Sequence, residues 1–482
     1  MDDQEAMDAF VESPWCRAVL ARMEAPGRYE AFESQARHVG NCAHPVRLKG
    51  HVVATDTVSG QRAVAFSSAD TPDGVVYKAC ENRRSSRCPA CAEVHRQDAK
   101  HLVRAGLAGG KGVPDTVSSH PAIFATLTAP SFGAVHSTFH DRPRPCTPAN
   151  PKARCPHGRP LACFERHRSD DTVVSQPLCP HCYRYTEHVL WNSLSSELWR
   201  RTTIYLRRTL AAAVNMTPTQ LEKVVRPSFC KVAEFQRRGA VHLHVVVRLD
   251  AAGDEIDAPP TPFDATVLAR AFLGAVRAVR VAYPVRLQGR AQVARFGREC
   301  DVTVLDTGTR AAKVARYISK YVAKSSDTGG VLDRPLRPGD MANLHELGLS
   351  DHERRLVETA WRLGGRSELA TLKLRTWTHQ LGYRGHVLTK SRRYSTTFKA
   401  LGAVRVAWRV ARAQQTNDPW GRARAIGAVE FEVVFEPVGV GWSLRGDPVL
   451  AANLHECDTD GRRAYWDSLD EDEWHERIVG AA

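Results

Sequence analysis

Glu234-Phe235-Gln236-Arg237-Arg238-Gly239-Ala240-Val241-His242-Leu243-His244 alternates like a β-hairpin. Its period of two sends Val241, Leu243 and Val245 to one face and both imidazoles to the other. A three-residue loop, Arg237-Arg238-Gly239, puts glycine at the left-handed position such loops favour. That loop pairs Gln236 with Ala240 and Glu234 with His242, so Glu234 joins His242 and His244 on one face. A two-residue loop would send Glu234 to the other side of the sheet. Two imidazoles and a carboxylate form an open site for a divalent cation beside a scissile phosphate. Mg²⁺ or Mn²⁺ suits that chemistry, and the imidazoles favour Mn²⁺. The plainer reading of the His-x-His pair alone is two solvent-facing histidines on a strand.

Downstream, Tyr317-Ile318-Ser319-Lys320-Tyr321 falls in a stretch, 309–324, whose spacing predicts a helix. Tyr317 and Tyr321 are one turn apart, as are Lys320 and Lys324. Phenol titrates near 10, so tyrosine is a poor nucleophile without a cation that favours phenolate. Each tyrosine has a lysine three residues later that can do this and can neutralise phosphate charge. Attack by either tyrosine on DNA would leave a 5′-phosphotyrosyl link and a free 3′-hydroxyl. The plainer reading is aromatic packing on an amphipathic helix.

Around these motifs the coarse pattern is strand, helix, hairpin, helix, strand, helix. Strands are expected at 121–130, 229–249 (two) and 300–305, and helices at 187–213 and 264–282. This implies an α+β domain on an antiparallel sheet. Beyond about 330, helices are expected at Asp351–Leu363 and Ser367–Gln380 and a strand at Glu430–Glu436. Between them lies a basic segment whose Lys390, Arg392 and Arg393 we expect to contact DNA phosphates, and the last residues form an acidic tail. The chain of 482 residues exceeds one core, so we expect three regions. These are an N-terminal module (1–110), a catalytic domain (111–330) and a mainly helical basic C-terminal region (331–482).

The charge balance, 67 Lys and Arg against 53 Asp and Glu, gives +14 and favours a polyanionic partner such as nucleic acid. No apolar run reaches the ~18 residues of a membrane span and no signal-peptide pattern is visible, so we expect a cytoplasmic protein without membrane contact. Ten of the 13 cysteines precede residue 183, mostly in paired knuckles. In a cytoplasmic chain that favours zinc over disulfides. Cys42, Cys80, Cys88 and Cys91 form one expected structural zinc site, with His44 or His95 as substitutes. Residues 134–186 are too long for a structureless loop inside a compact domain. A second zinc on Cys155, Cys163, Cys179 and Cys182, with His157 as the first substitute, would explain how they fold.

The ordered set of motifs resembles a known family. His242-Leu243-His244, Tyr317 with Tyr321, and the leading strand Phe124-Ala125-Thr126-Leu127-Thr128 look like the three motifs of HUH endonucleases. Cys88-Pro89-Ala90-Cys91, Cys155-Pro156-His157-Gly158, Cys179-Pro180-His181-Cys182-Tyr183, Leu190-Trp191-Asn192, Glu234-Phe235-Gln236 and Thr389-Lys390-Ser391-Arg392-Arg393-Tyr394 narrow the match. They resemble replication initiators of actinomycete rolling-circle plasmids and integrative conjugative elements over roughly 40–410. The resemblance implies an HUH-type sheet and origin DNA as partner. It also implies His242 and His244 as metal ligands and Tyr317 or Tyr321 as nucleophile. The expected job is to nick one strand, hold its 5′ end and free a 3′-hydroxyl primer for a host polymerase. No phosphate loop G-x-x-x-x-G-K-[ST] is present, so a host helicase would unwind the duplex. Conjugative relaxases and single-strand transposases share the chemistry; relaxases usually carry three histidines, and short transposases lack the zinc-rich bulk. A zinc-dependent DNA-binding regulator without catalysis fits the charge and cysteines equally; only the hairpin and the tyrosines argue against it.

Overall fold

A computed structural model describes residues 12–24, 26–138, 145–147, 150–305, 314, 317, 332, 334–414 and 429–468. It mixes helices with antiparallel sheet, as the sequence pattern implied. In chain order the strands are β1 (Val46–Asp56), β2 (Arg62–Ser67), β3 (Val76–Lys78), β4 (Ala122–Leu127), β5 (Val225–Phe235) and β6 (Val241–Ala251). There follow β7 (Val281–Ala282), β8 (Val293–Ala294), β9 (Cys300–Leu305), β10 (Leu388–Lys390) and β11 (Val429–Val440). No helix among the described residues is long and apolar enough to cross a membrane. The chain divides into two compact units, Met1–Asp98 with Thr397–Ala482, and Ala99–Thr396.

In the first unit β11 pairs antiparallel with β1 along its whole length, from Val46↔Val440 to Asp56↔Val429. β2 and β3 pair with β1 on its other side. A small core gathers Phe32, Tyr77, Trp442 and Leu450 with Cys42, Cys88 and Cys91. The Trp442 indole donates to the Cys42 carbonyl at 3.0 Å. Arg22, fully buried, is held between Asp447 and Asp73.

The expected boundaries near 110 and 330 are therefore not those of the compact units. Leu344, Leu356, Leu372 and Tyr383 join the core of the second unit. β11 belongs with the N-terminal strands, because a 12-residue strand with Val or Phe at alternate positions needs a partner edge. Part of the acidic tail also differs from expectation, since the helix Asp447–Ser468 extends into it. Ser367–Gln380 is not one helix but two 3₁₀ turns, with Lys373 and Leu381 left-handed after them.

The second unit is built on a five-stranded sheet of order β10-β5-β6-β4-β9, all antiparallel. Val241, Leu243, Val245, Val247 and Leu249 of β6 share one face with Ile123, Ala125 and Leu127 of β4. They pack into a core with Leu190, Leu194, Leu198 and Leu206 of the Tyr185–Ala213 helix and Leu268, Phe272 and Val276 of the Ala265–Ala278 helix. Each such side chain gains about 1.5–3 kcal/mol on burial, which pins the strand register and thereby fixes what the other face presents. From Leu127 to Tyr185 the described residues form no helix and no strand beyond isolated bridges such as Thr147↔Cys163. That matches the expected insertion. Of the expected tyrosine helix, Val314 and Tyr317 are described and lie in helical backbone. Lys320, Tyr321 and Lys324 lie outside the described residues.

Candidate metal and nucleophile site

The β5–β6 hairpin has the register of the three-residue loop. Glu234 pairs with His242 across the ladder, and the Gln236 amide donates to Ala240 at 2.9 Å. Gly239 closes the turn at φ +81°, donating to the Gln236 carbonyl. A Cβ there would lie 2.7 Å from Leu381 and 2.9 Å from Leu356, so backbone angle and packing both favour glycine. Beneath the turn sits Asn192, fully buried. Its amide donates at 3.0 Å to the carbonyls of Gly239 and Leu381, and its oxygen accepts from Val241 N–H at 3.1 Å. In the sequence Asn192 stands out only within Leu190-Trp191-Asn192; this clamp is its structural role. The Arg238 carbonyl is held by His352 Nε2 at 2.9 Å, a contact no sequence spacing signals.

On the face opposite the core, His242, His244 and Glu234 come together. Glu234 Oε2 lies 3.2 Å from His244 Nε2, and the two imidazoles pack edge to face at 4.7 Å between centroids. Thr126 on β4 pairs with His244, its hydroxyl 3.4 Å from Nδ1. Thr126 thus orients the ring from the side away from Glu234. Burial, reinforced by the neighbouring His244, pushes His242 down to about 4, so its imidazole is neutral and able to ligate. His242 Nδ1 is buried without a hydrogen-bond partner, which a bound ligand would remedy. The 3.2 Å between Glu234 and His244 matches the spacing of adjacent ligands on one six-coordinate ion with bonds of about 2.1–2.2 Å, about 3 Å. The residues therefore fit a divalent cation. The groups whose ligand atoms all lie within 4.8 Å of one another, among the described residues, are one set of four cysteines and two cysteine–histidine sets.

Tyr317 stands beside this group. Its ring meets His244 edge to face at 5.8 Å and Phe124 at 5.6 Å, and 42% of it is exposed. Asp301, exposed on β9, shares the same face by pairing with Thr126. It was not singled out in the sequence.

The first cysteine set stands as expected. Cys42, Cys80, Cys88 and Cys91 form one group, with Sγ atoms 3.7 Å (Cys80–Cys91) and 3.8 Å (Cys42–Cys88) apart. Tetrahedral zinc–thiolate bonds of about 2.3 Å imply about 3.8 Å. The second set differs at one position. Cys155, Cys179 and Cys182 close with His157, whose Nδ1 is 3.3 Å from Cys182 and 3.8 Å from Cys179. Cys163 is not in it. It pairs across a bridge with Thr147 and so lies with Cys146, His136 and His167 in a third group, where two zinc sites were expected. His157, the first substitute named from the sequence, takes the place of Cys163.

The basic segment begins at the β10 edge of the sheet. Lys390 forms part of β10, and its ammonium donates to the carbonyls of Ser395 (2.8 Å), Arg392 and Ser391. Arg393 pairs with Asp254, which leaves Arg392 exposed. A cleft of about 1360 Å³ opens instead at the turn end of the hairpin. Gln236 and Arg238 line it together with Arg184, Arg277, Arg280 and Arg298.

Comparison with known proteins gives two matches. The family described as "Replication initiator protein, pSAM2" matches residues 28–456. A curated "Replication initiator protein" from Streptomyces ambofaciens is 37% identical over 401 residues, covering 81% of this chain and 83% of its own. No solved structure matches the chain.

Proposed function

The chain belongs to the pSAM2 replication initiator family, and from that premise we propose that it nicks one strand of its origin DNA by tyrosine transesterification, as rolling-circle initiators do. The carrying observation is Tyr317, half-exposed and 5.8 Å from His244, on the sheet face that holds His242 and Glu234. A divalent cation, Mg²⁺ or Mn²⁺, held by His242, His244 and Glu234 would polarise a phosphoryl oxygen of the scissile linkage. Thr126 holds the His244 ring in orientation, and the apolar register behind β6 fixes both imidazoles. The Tyr317 phenol oxygen attacks phosphorus. The P–O3′ bond breaks, the 3′ oxygen leaves as a hydroxyl after taking a proton, and the 5′ phosphate remains on tyrosine. Lys320 favours the phenolate, and Tyr321 with Lys324 would serve a second transfer. The arginine-lined cleft receives the phosphate backbone of the strand, and host helicase and polymerase extend the freed end. A cytoplasmic location fits this role.

The test is a labelled single-stranded origin oligonucleotide with Mn²⁺ on a denaturing gel. We expect the fragment downstream of the nick to be protein-linked through its 5′ end, and that product to disappear in His242→Ala and in Tyr317→Phe or Tyr321→Phe. Tight binding that leaves a verified origin intact would replace the nuclease with a zinc-dependent DNA-binding regulator.

A further inference from the structure

A third group, His136, Cys146, Cys163 and His167, lies in the insertion. His136 Nδ1 is 3.1 Å from His167 Nε2 and 3.7 Å from Cys146 Sγ; Cys163 Sγ is 3.4 Å from His167 Nε2. A tetrahedral zinc with two nitrogens at about 2.0–2.1 Å and two sulfurs at about 2.3 Å sets N···N near about 3.3 Å and N···S near about 3.6 Å. The observed spacings scatter around those values. Two further contacts are those of a metal site. The Ser137 amide donates to Cys146 Sγ at 3.1 Å, as backbone amides do to thiolates. Asp171 Oδ2 accepts from His167 Nδ1 at 3.1 Å, which fixes the tautomer that turns a lone pair on Nε2 toward the sulfurs. Without a metal, two thiols and two imidazoles converge here with little else to hold them, because the segment has almost no regular backbone ladder.

The same carboxylate residue reaches the hairpin. Asp171 accepts at its backbone carbonyl from Arg237 Nη2 at 2.7 Å, and the Ser169 carbonyl accepts from Arg237 Nη1 at 2.5 Å. Arg237 is the first residue of the turn that joins Glu234 to His242. Asp171 Oδ1 also accepts from the Val173 amide at 3.1 Å, so its loop is braced from both ends.

We propose that His136, Cys146, Cys163 and His167 bind a third structural zinc, and that this site anchors the β5–β6 turn through Asp171 and Arg237. The zinc half rests on the ligand geometry alone and is independent of the nicking reading, because it is measured without DNA. The anchor half concerns the turn whether or not the hairpin is catalytic.

The test begins with metal analysis of the full chain purified without chelator. Three zinc ions per chain are expected, and two in Cys163→Ser. Cys163→His, which keeps a ligand in place, should restore three and guards against simple misfolding. Cobalt substituted at the third position should show the absorption of a two-sulfur, two-nitrogen site, absent in Cys163→Ser. Two zinc ions in the wild type, or three retained in Cys163→Ser, would overturn the site. The second measurement is amide hydrogen exchange at residues 236–240. Arg237→Ala, with all three zinc ions retained, should exchange at least about tenfold faster there, and Cys163→Ser likewise. Unchanged protection in both would overturn the anchor while leaving the zinc count to stand on its own.

Discussion

At the scale of single residues, the hairpin turn depends on two positions that do no chemistry. Asn192 satisfies two carbonyls and one amide that no solvent reaches. Asn192→Ala orphans all three, and each buried unsatisfied group costs about 1–3 kcal/mol. We expect a loss on the order of 3 kcal/mol in urea unfolding; a change under about 0.5 kcal/mol would mean the clamp is not needed. Gly239→Ala places an L-residue at φ +81°, which costs about 1–2 kcal/mol before any contact with Leu381 and Leu356 is counted. Of this neighbourhood, glycine was legible, because a three-residue loop names the residue that must be left-handed. Asn192 was not, because its partners lie 47 and 189 residues away. A second residue-scale expectation concerns pH. Full burial, with Arg238 and His352 nearby, holds His188 well below 6.5, so it stays neutral in the folded state. The unfolded chain takes up that proton near 6.5 and the folded one does not. Stability is therefore undiminished above 6.5 and falls as pH drops below it. His95, lowered to about 4 mainly by burial, adds a loss spread between 6.5 and 4. Urea midpoints between pH 7.5 and 5.5 should decline in the wild type and decline less in His188→Gln. Equal slopes would mean His188 is protonated in the folded protein.

At the scale of elements, regular structure was legible and ligand pairing only in part. The strands and helices around the site follow their periodicity: β9 spans the 300–305 that alternation predicts, and the Tyr185–Ala213 helix begins two residues before its predicted start. The insertion was legible as a segment that Cys and His groups could hold on zinc, because nothing in it has a period. Its ligand set was legible to the extent that knuckles pair locally. Cys179 and Cys182 stay together, but the Cys163 assignment needed the Thr147 bridge, which no spacing encodes. The compact units were least legible, since strand pairing across almost the whole chain, β1 with β11, leaves no local signal. These elements predict different responses to zinc loss. In the first unit Phe32, Tyr77, Trp442 and Leu450 surround Cys42, Cys88 and Cys91, so an apolar core remains when the metal leaves. The described residues of the insertion form no separate apolar cluster of that kind. A strong chelator should therefore open the insertion to proteases well before the β1–β11 sheet loses hydrogen-exchange protection. Simultaneous loss of both would show that the sheet of the first unit also depends on its metal.

At the scale of the whole molecule, charge dominates. An excess of 14 positive charges attracts nucleic acid without choosing a sequence, so the choice of surface shows in the salt dependence of binding. The basic segment after β10 looked like that surface from sequence. In the structure Lys390 donates to three backbone carbonyls and Arg393 is paired with the exposed Asp254. Arg277, Arg280 and Arg298 are exposed around the cleft at the hairpin turn. For a single strand each phosphate contact contributes about 0.7 to the slope of log K against log salt. Replacing those three arginines by glutamine should flatten the slope by about two, at unchanged fold stability, if the strand runs through the cleft. Lys390→Gln should then leave the slope unaltered, because its ammonium is held by backbone carbonyls. The reverse pattern, a flat response to the cleft triple and a loss with Lys390→Gln, would move the DNA path to the β10 edge of the sheet. The slope is the right observable because affinity alone would fall for any basic residue removed from a chain of this charge, whereas only a cation in contact with phosphate releases a counterion on binding.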